Sequence, residues 1–325
     1  QVAAAYRQSF DAFSREHPDV EVRINVVAYS SYFDTLRTDV AGGGADDVFW
    51  LSNAYFANYA DNGRLLDVGK TLGADAARAW DASVVRQFTR NGVLWGVPQL
   101  TDAGIAVYYN ADLLERAGVK PADLNDLKWS PDPAEDTLRP LLARLTVDAD
   151  GNRADTPRFS PDRIRQWGYN AANDLQGIYL NYVGSAGGAF QDGDRFAFDN
   201  LAAVQAFEYL VGLVNRDHVA PPASDTNGNG DFSRNQFLQG RMALFQSGTY
   251  NLAAIADQAP FRWGVTMLPT GPKGRVSVTN GIAAAGNAAS PHPDAVRRVL
   301  EWMGSTRGNA FLGSGGAAIP AVTAA

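Results

Sequence analysis

Helix-like and strand-like segments alternate along the first part of this chain, and that alternation restricts its fold more than any other feature. Val2, Tyr6, Phe10 and Phe13 recur at helical spacing, so an amphipathic helix opens the chain and stops at His17-Pro18-Asp19. Val22, Ile24 and Val26 then alternate with Arg23 and Asn25, the pattern of a half-buried strand. A second helix is expected from Tyr32 to Val40, ended by Gly42-Gly43-Gly44. Asp47-Val48-Phe49-Trp50-Leu51 follows as a short buried strand. Strand and helix in this order predict an α/β domain with a mainly parallel sheet.

The stretch GVPQLTDAGIAVYYNADLLERAG (96–118) repeats the theme. An apolar run, Ile105 to Tyr109, stops at Asn110, which can cap a helix beginning at Ala111 with Asp112 in its first turn. Arg116 falls in the last turn, and Gly118 supplies a left-handed stop. From Leu124 to Pro161 the chain is rich in Pro and Asp, with one helical piece at Thr137–Leu145. Segment 200–215 reads as a helix capped by Asn200, with Leu201, Val204, Phe207, Val211 and Val214 as its buried face. Segment 290–305 reads as another, with Val296, Val299, Leu300 and Met303 on one stripe. No repeat period emerges.

A chain of 325 residues is long enough for one large or two medium domains. Hydrophobic content of 46% with 19% charged residues marks a globular chain. A net charge of −7 and the lack of any basic, aromatic-interleaved cluster argue against nucleic acid or an anionic membrane as a partner. There is no cysteine, which excludes disulfides, thiolate nucleophiles and thiolate metal sites. No segment approaches the ~18 consecutive apolar residues of a membrane span. No signal peptide is visible, so a leader, if one existed, is expected to have been removed.

Catalytic signatures are scarce. His17, His218 and His292 are the three histidines; the first and last precede prolines at helix boundaries, and all read as turn residues. There is no nucleophile elbow, no HExxH and no phosphate loop. GSGGAA (313–318) fits a dinucleotide fingerprint in form but follows a helix rather than a strand. Among 35 acids a carboxylate pair for glycoside hydrolysis stays open, though nothing singles one out. DTNGNGD (225–231) opens like a calcium loop, but Gln236 stands where a bidentate carboxylate should close it, so an Asn/Gly turn is expected. DADGN (148–152) reads as a surface turn. Trp50, Trp95, Trp167, Tyr179 and Tyr250 sit at expected strand ends or loops beside small or polar residues, a setting in which a sugar can stack on a ring and bond to amides and carboxylates. The alternative for each is simple burial, which is the expectation for Trp263 and Trp302.

Five segments then carry a resemblance: FSREHPDVEV, AGGGADDVFWLSNAYFANYADNGRLLDV, GVPQLTDAGIAVYYNADLLERAG, FLQGRMALFQSGTY and WGVTMLPTGPKGR with the NGIAAAGNAASPHPDAVRRVLEWM that follows it. Their order is similar to that of the extracellular solute-binding proteins of ABC sugar importers, of the maltose/maltodextrin-binding type. The resemblance implies an α/β, two-lobed type II periplasmic-binding-protein fold with a hinge of crossing strands and the ligand in a cleft. Mapped here, residues 1–109 with 264–311 would form the N-terminal lobe, and 110–263 with 312–325 the C-terminal lobe. Crossings would lie near Tyr108-Tyr109-Asn110, near Trp263-Gly264 and near Leu312.

The resemblance also implies a ligand set. Asp102, four residues after Pro98, stands where the family has a cleft acid that binds sugar hydroxyls. Its alternative is a solvated loop acid. Trp50 is similar to a cleft tryptophan, Asn53 stands where some members have an acid, and Tyr250 replaces a stacking tryptophan. Asn173, Asp174 and Gln176 lie where the second lobe would reach the ligand, and Tyr32 and Trp167 complete the candidate set. The expected function is that of a non-catalytic binding protein which delivers a mono-, di- or oligosaccharide to permease subunits by lobe closure. The expected place is extracellular, as a lipoprotein or in the periplasm. The expected form is a monomer without cofactor or metal, in touch with the membrane only through a lipid anchor or the permease. The alternatives are a carbohydrate-active hydrolase and a sugar receptor for signalling.

Overall fold

The computed structural model describes residues 2–193, 195–314, 316 and 318–325, so Gly315 and Ala317 of the GSGGAA segment lie outside the described residues. The chain divides by contacts into two compact units, Gln1–Asp102 with Thr279–Ala325 and Ala103–Val278.

The first unit is built on a four-stranded sheet in the order Val48–Ser52, Ile282–Gly286, Val97–Thr101, Ile319–Pro320. Every ladder in it is antiparallel. The expectation of a mainly parallel sheet therefore fails, and among the described residues all named strand pairs run antiparallel. In the four-stranded sheet each neighbour arrives from a distant return of the chain, and the short two-stranded pairs are local, so neither comes from the strand–helix–strand crossover that makes parallel pairs. The Val22–Val26 alternation forms extended chain with no ladder of its own.

The central strand carries Ala283, Ala284 and Ala285, all fully buried. Alternation sends Ala284 to one face, packed with Phe13, Val299, Leu300 and Trp302, and Ala283 and Ala285 to the other, with Leu51, Val84 and Phe88. Small side chains there let large ones close over both faces. The helix Val2–Glu16 docks by Phe13 and by polar bonds. Tyr6 OH donates to Gln99 Oε1 at 3.1 Å, and Gln99 Nε2 donates to the Met303 carbonyl at 2.7 Å. The tail strand pairs Ile319 with Thr101 and Pro320 with Leu100. The contact division thus puts 312–325 with the first unit, whereas the resemblance implies the second lobe for it. It also puts 103–109 and 264–278 with the second unit, because Ile105–Asn110 is the middle strand of that unit's sheet and Trp263–Thr266 its edge.

That second sheet runs Leu244–Gly248, Ile105–Asn110, Trp263–Thr266. Asn110 caps the helix Ala111–Arg116 as expected, its Oδ1 accepting from the N–H groups of Asp112 and Leu113 at 3.1 Å. Asn200 likewise caps Leu201–Asn215. The buried face of that helix differs from the expectation. Ala203, Ala206, Tyr209, Leu210 and Leu213 face the core, while Leu201 is 73% exposed and Val211 is exposed too. The helix is apolar on two stripes, and the one with alanines near its start packs closest to Trp129 and Tyr182.

The DADGN turn has a buried organiser. Asp148 is fully buried, and its carboxylate accepts from the N–H groups of Asp150 (2.9 Å), Asn152 (2.8 Å) and Ser160 (3.0 Å) and from Asn152 Nδ2. Burial pushes its pKa up, but the Asn152 side chain and the three N–H groups outweigh that and hold it at about 2. A depressed carboxyl contributes stability that is present above its ordinary pKa of 3.8 and lost as pH falls toward about 2. Acid titration followed by tryptophan fluorescence is therefore expected to show a steeper loss of stability across that window in the wild type than in Asp148→Asn. Equal acid limbs would show that the turn does not depend on the charge.

Candidate functional site

The strand register of the first unit gathers polar residues at one end of its sheet. Ser52 lies opposite Ile282, which lies opposite Leu100, so Asn53, Asn280 and Asp102 occupy adjoining strand ends. Asp102 Oδ1 accepts from the Asn280 N–H at 3.1 Å. Asn53 Nδ2 donates to Gln87 Oε1 at 3.3 Å, from the end of the helix Ala82–Gln87. All four residues are described, and Asn53, Gln87, Asp102 and Asn280 are each half-buried. The Asp102 carboxylate and the carboxamides of Asn53, Gln87 and Asn280 offer acceptors and donors to a polyhydroxylated molecule. Gln87 and Asn280 are residues that sequence reasoning does not find. A glutamine at the end of a short helix and an asparagine before a strand carry no local signal.

Trp50 and Tyr32, both expected as ligand contacts, are bonded to each other. The Tyr32 hydroxyl donates to the Trp50 carbonyl at 3.1 Å and accepts from the Trp50 N–H at 2.8 Å, and burial pushes its pKa up to about 12. That hydroxyl is spent on the backbone of Val48–Ser52. The Trp50 ring packs edge-on against Tyr6 and sits half-buried against the core.

In the second unit, Gln246 is the organising group. Its Oε1 accepts from Tyr169 OH at 2.5 Å and its Nε2 donates to the Gly177 carbonyl at 2.7 Å. Its backbone exchanges two bonds with the Asn170 carboxamide. These bonds hold the 170–177 loop against the strand Leu244–Gly248. Asp174 caps the one-turn π-helix Leu175–Tyr179, its Oδ1 accepting from the N–H groups of Gln176 and Gly177. Asn173, just before it, is exposed. Tyr250 follows the strand, with its ring over Gly248 and 57% of its surface exposed. Trp167 does not join this group. It bridges to Met242, just before the strand, and packs against the core of Tyr108, Phe237, Met242, Phe245 and Ile255. Of the other aromatics, Trp95 packs in the first unit's core and Tyr179 against Phe190 and Phe207. Trp302 is buried and Trp263 packs on a core.

The remaining motifs have structural settings. Asp225 lies on the short helix Ala223–Thr226, and Asp231 pairs with Arg234 at 3.2 Å. Among the described residues no three His, Cys, Asp or Glu side chains gather where they could hold a metal. His17 stacks on Phe13 with ring centroids 4.4 Å apart. Among the described residues no helix is long and apolar enough to cross a membrane.

The chain belongs to the bacterial extracellular solute-binding proteins, whose family model matches residues 1–310. It is 71% identical to UspC of M. tuberculosis, whose crystal structure it matches over 99% of this chain and 79% of that one with a TM-score of 0.76. It shares its fold with the ABC substrate-binding protein Lmo0181 from Listeria monocytogenes, solved in complex with cycloalternan, at 21% identity and a TM-score of 0.81 over 98% of this chain and 77% of that one. A maltooligosaccharide ABC transporter solute-binding lipoprotein of Streptococcus pneumoniae is 24% identical over 245 residues, 74% of this chain and 51% of that protein. The chain spans between about half and two thirds of the length of the curated relatives it matches. The architecture is thus the two-lobed α/β fold of the maltose-binding type.

Proposed function

We propose that this chain is the carbohydrate-capturing component of an ABC importer, a non-catalytic protein whose two lobes close on a sugar and present it to a membrane permease. The observation that carries the reading is the polar strand end of the first unit, where Asn280 holds one oxygen of the Asp102 carboxylate and Gln87 holds the Asn53 amide. A fixed carboxylate accepts from sugar hydroxyls through charge-assisted bonds and orients the ligand without transforming it. Tyr250, Asn173 and Gln176 are the groups we propose for the second unit's part in binding. A ligand that binds the closed state better than the open one shifts the population toward it. Support comes from the family, from the cycloalternan held by the Listeria protein and from the maltooligosaccharide transport and lipid attachment in the name of the Streptococcus relative. An extracellular protein tethered by lipid or free in a periplasm is the form that fits those relatives, and a monomer is the state we propose for it.

The test is a thermal-shift screen against mono-, di- and oligosaccharides, with recovery of any ligand that binds. A saccharide at 100-fold its dissociation constant is expected to stabilise the protein by roughly 2.7 kcal/mol and to be recovered intact. Recovery of a cleaved sugar, or no stabilisation by any saccharide, would defeat the proposal. Asp102→Ala is expected to weaken saccharide binding by roughly a hundredfold, through the loss of two charge-assisted bonds, while costing the unliganded protein about 1 kcal/mol for the bond to Asn280. A large loss of stability with unchanged affinity would make Asp102 a structural acid.

A further inference from the structure

Next to Asn53 the first unit carries aromatic surface that its core does not use. Residues Ser52 to Tyr55 form a turn closed by the Tyr55 N–H on the Ser52 carbonyl at 3.1 Å, so Tyr55 leaves the strand end just past Asn53. Its ring stacks on Phe33, with centroids 4.7 Å apart and planes at 30°. Phe33 in turn meets Tyr29 edge-on at 5.5 Å and Tyr32 at 5.1 Å, all three on the first turns of the helix Tyr29–Gly42. Tyr32 is pinned to the strand through both of its bonds to the Trp50 backbone. Phe33 is therefore held from both sides, yet Tyr55 is 50% exposed and Tyr29 is 63% exposed. Tyr29, Phe33 and Tyr55 thus make a contiguous aromatic patch, open to water and beside the polar strand end, the kind of surface that marks a binding site.

We propose that Tyr29, Phe33 and Tyr55 form a saccharide-stacking shelf, a subsite that receives a pyranose ring beyond the one bound at Asp102 and Asn53. This rests on the carbohydrate reading given above. A pyranose presents an apolar C–H face and an edge of hydroxyls. The shelf offers ring faces for the first, and the carboxamide of Asn53 stands beside the Tyr55 turn for the second. The rings are preorganised, so little side-chain entropy is lost when the sugar arrives. The shelf thereby sets a length preference, because a second sugar unit gains the stacking that a monosaccharide cannot reach.

Isothermal titration of the full chain with a homologous series from mono- to tetrasaccharide tests this. In the wild type, affinity is expected to rise on going from one unit to the next. Tyr55→Ala and Tyr29→Ala are expected to weaken the longer saccharides roughly tenfold and the monosaccharide less than twofold, flattening the series. Tyr55→Phe, which keeps the ring, is expected to retain it. Phe196→Ala, in the hairpin of the second unit and 72% exposed, serves as the control for exposed aromatics and is expected to change nothing. Saccharide binding that is unchanged in both shelf variants would overturn the subsite and leave the carbohydrate reading standing. Failure of the wild type to bind any saccharide would overturn both. Equal weakening of all lengths would place the rings in the primary site and overturn the length preference.

Discussion

Gly308→Ala is expected to destabilise the first unit by about 4 kcal/mol, while Gly42→Ala leaves it as stable or more so. Gly308 lies in the first turn of Thr306–Gly313, and a Cβ there would collide with the Trp302 carbonyl oxygen and stand 2.9 Å from its carbonyl carbon. The neighbour is backbone, so no rotamer change relieves it. Moving the turn breaks the two bonds that Gly308 makes and disturbs a third that leans on them. Ser305 Oγ caps the Gly308 N–H at 3.0 Å, the Gly308 carbonyl accepts from Ser9 Oγ at 2.8 Å, and Ser9 Oγ accepts from Trp302 Nε1 at 2.9 Å. Two of these groups are then left buried without a partner, at about 1–3 kcal/mol each. Gly42, by contrast, ends the helix Tyr29–Gly42 with nothing within 4 Å of its Cβ position, and alanine there gains helix propensity of about 1 kcal/mol. Thermal melts followed by circular dichroism should separate the two by about 10 °C. Similar melting temperatures would mean that the turn between the last two helices can shift without cost.

Neither effect is visible in a sequence, and the reason is the same one that hid the sheet. Local signals act over a few residues. The caps at Asn110 and Asn200, the stop at His17 and the apolar stripe of Pro293–Met303 were all legible because each is settled within one or two turns of chain. Pairing is not local. Val48–Ser52 finds its neighbour more than 200 residues away, and the direction of that neighbour depends on a route the alternation of elements does not encode. The helix Leu201–Asn215 shows a subtler limit. Its pattern offers two apolar stripes, and the larger residues were the natural choice for the core, but close packing against Trp129 and Tyr182 selects the stripe that begins with alanine. At the candidate site, Asp102 and Asn53 could be named from resemblance alone. What the register adds is that they share a sheet end with Gln87 and Asn280, and that the Tyr32 hydroxyl serves the strand's backbone.

Gln246→Leu is expected to cost about 3 kcal/mol, and Gln246→Glu to cost an amount that depends on pH. Leucine fills much the same space but leaves the Tyr169 hydroxyl and the Gly177 carbonyl buried without Gln246. Tyr169 keeps Tyr182 OH at 3.0 Å, so its loss is partial, whereas Gly177 has to release the turn that Asp174 caps. A glutamate differs in kind. Protonated, it accepts from Tyr169 with its carbonyl and donates to Gly177 with its hydroxyl, so both partners are satisfied. Ionised, it opposes the Gly177 carbonyl in a site where burial already drives the pKa of Tyr169 well above its ordinary value. The introduced carboxyl therefore has a folded pKa raised above its unfolded value of ~4.3, its stability is fully present below that value, and it is lost as pH rises through the raised one. The variant should melt near the wild type at the acid end and fall progressively toward pH ~8, while the wild type and Gln246→Leu change in parallel. A Gln246→Glu variant with the same pH profile as the wild type would mean that the strand opens enough to hydrate the carboxylate. Because Gln246 holds the loop bearing Asn173, Asp174 and Gln176, any affinity for saccharide that depends on those residues should follow the same pH curve in this variant and in no other.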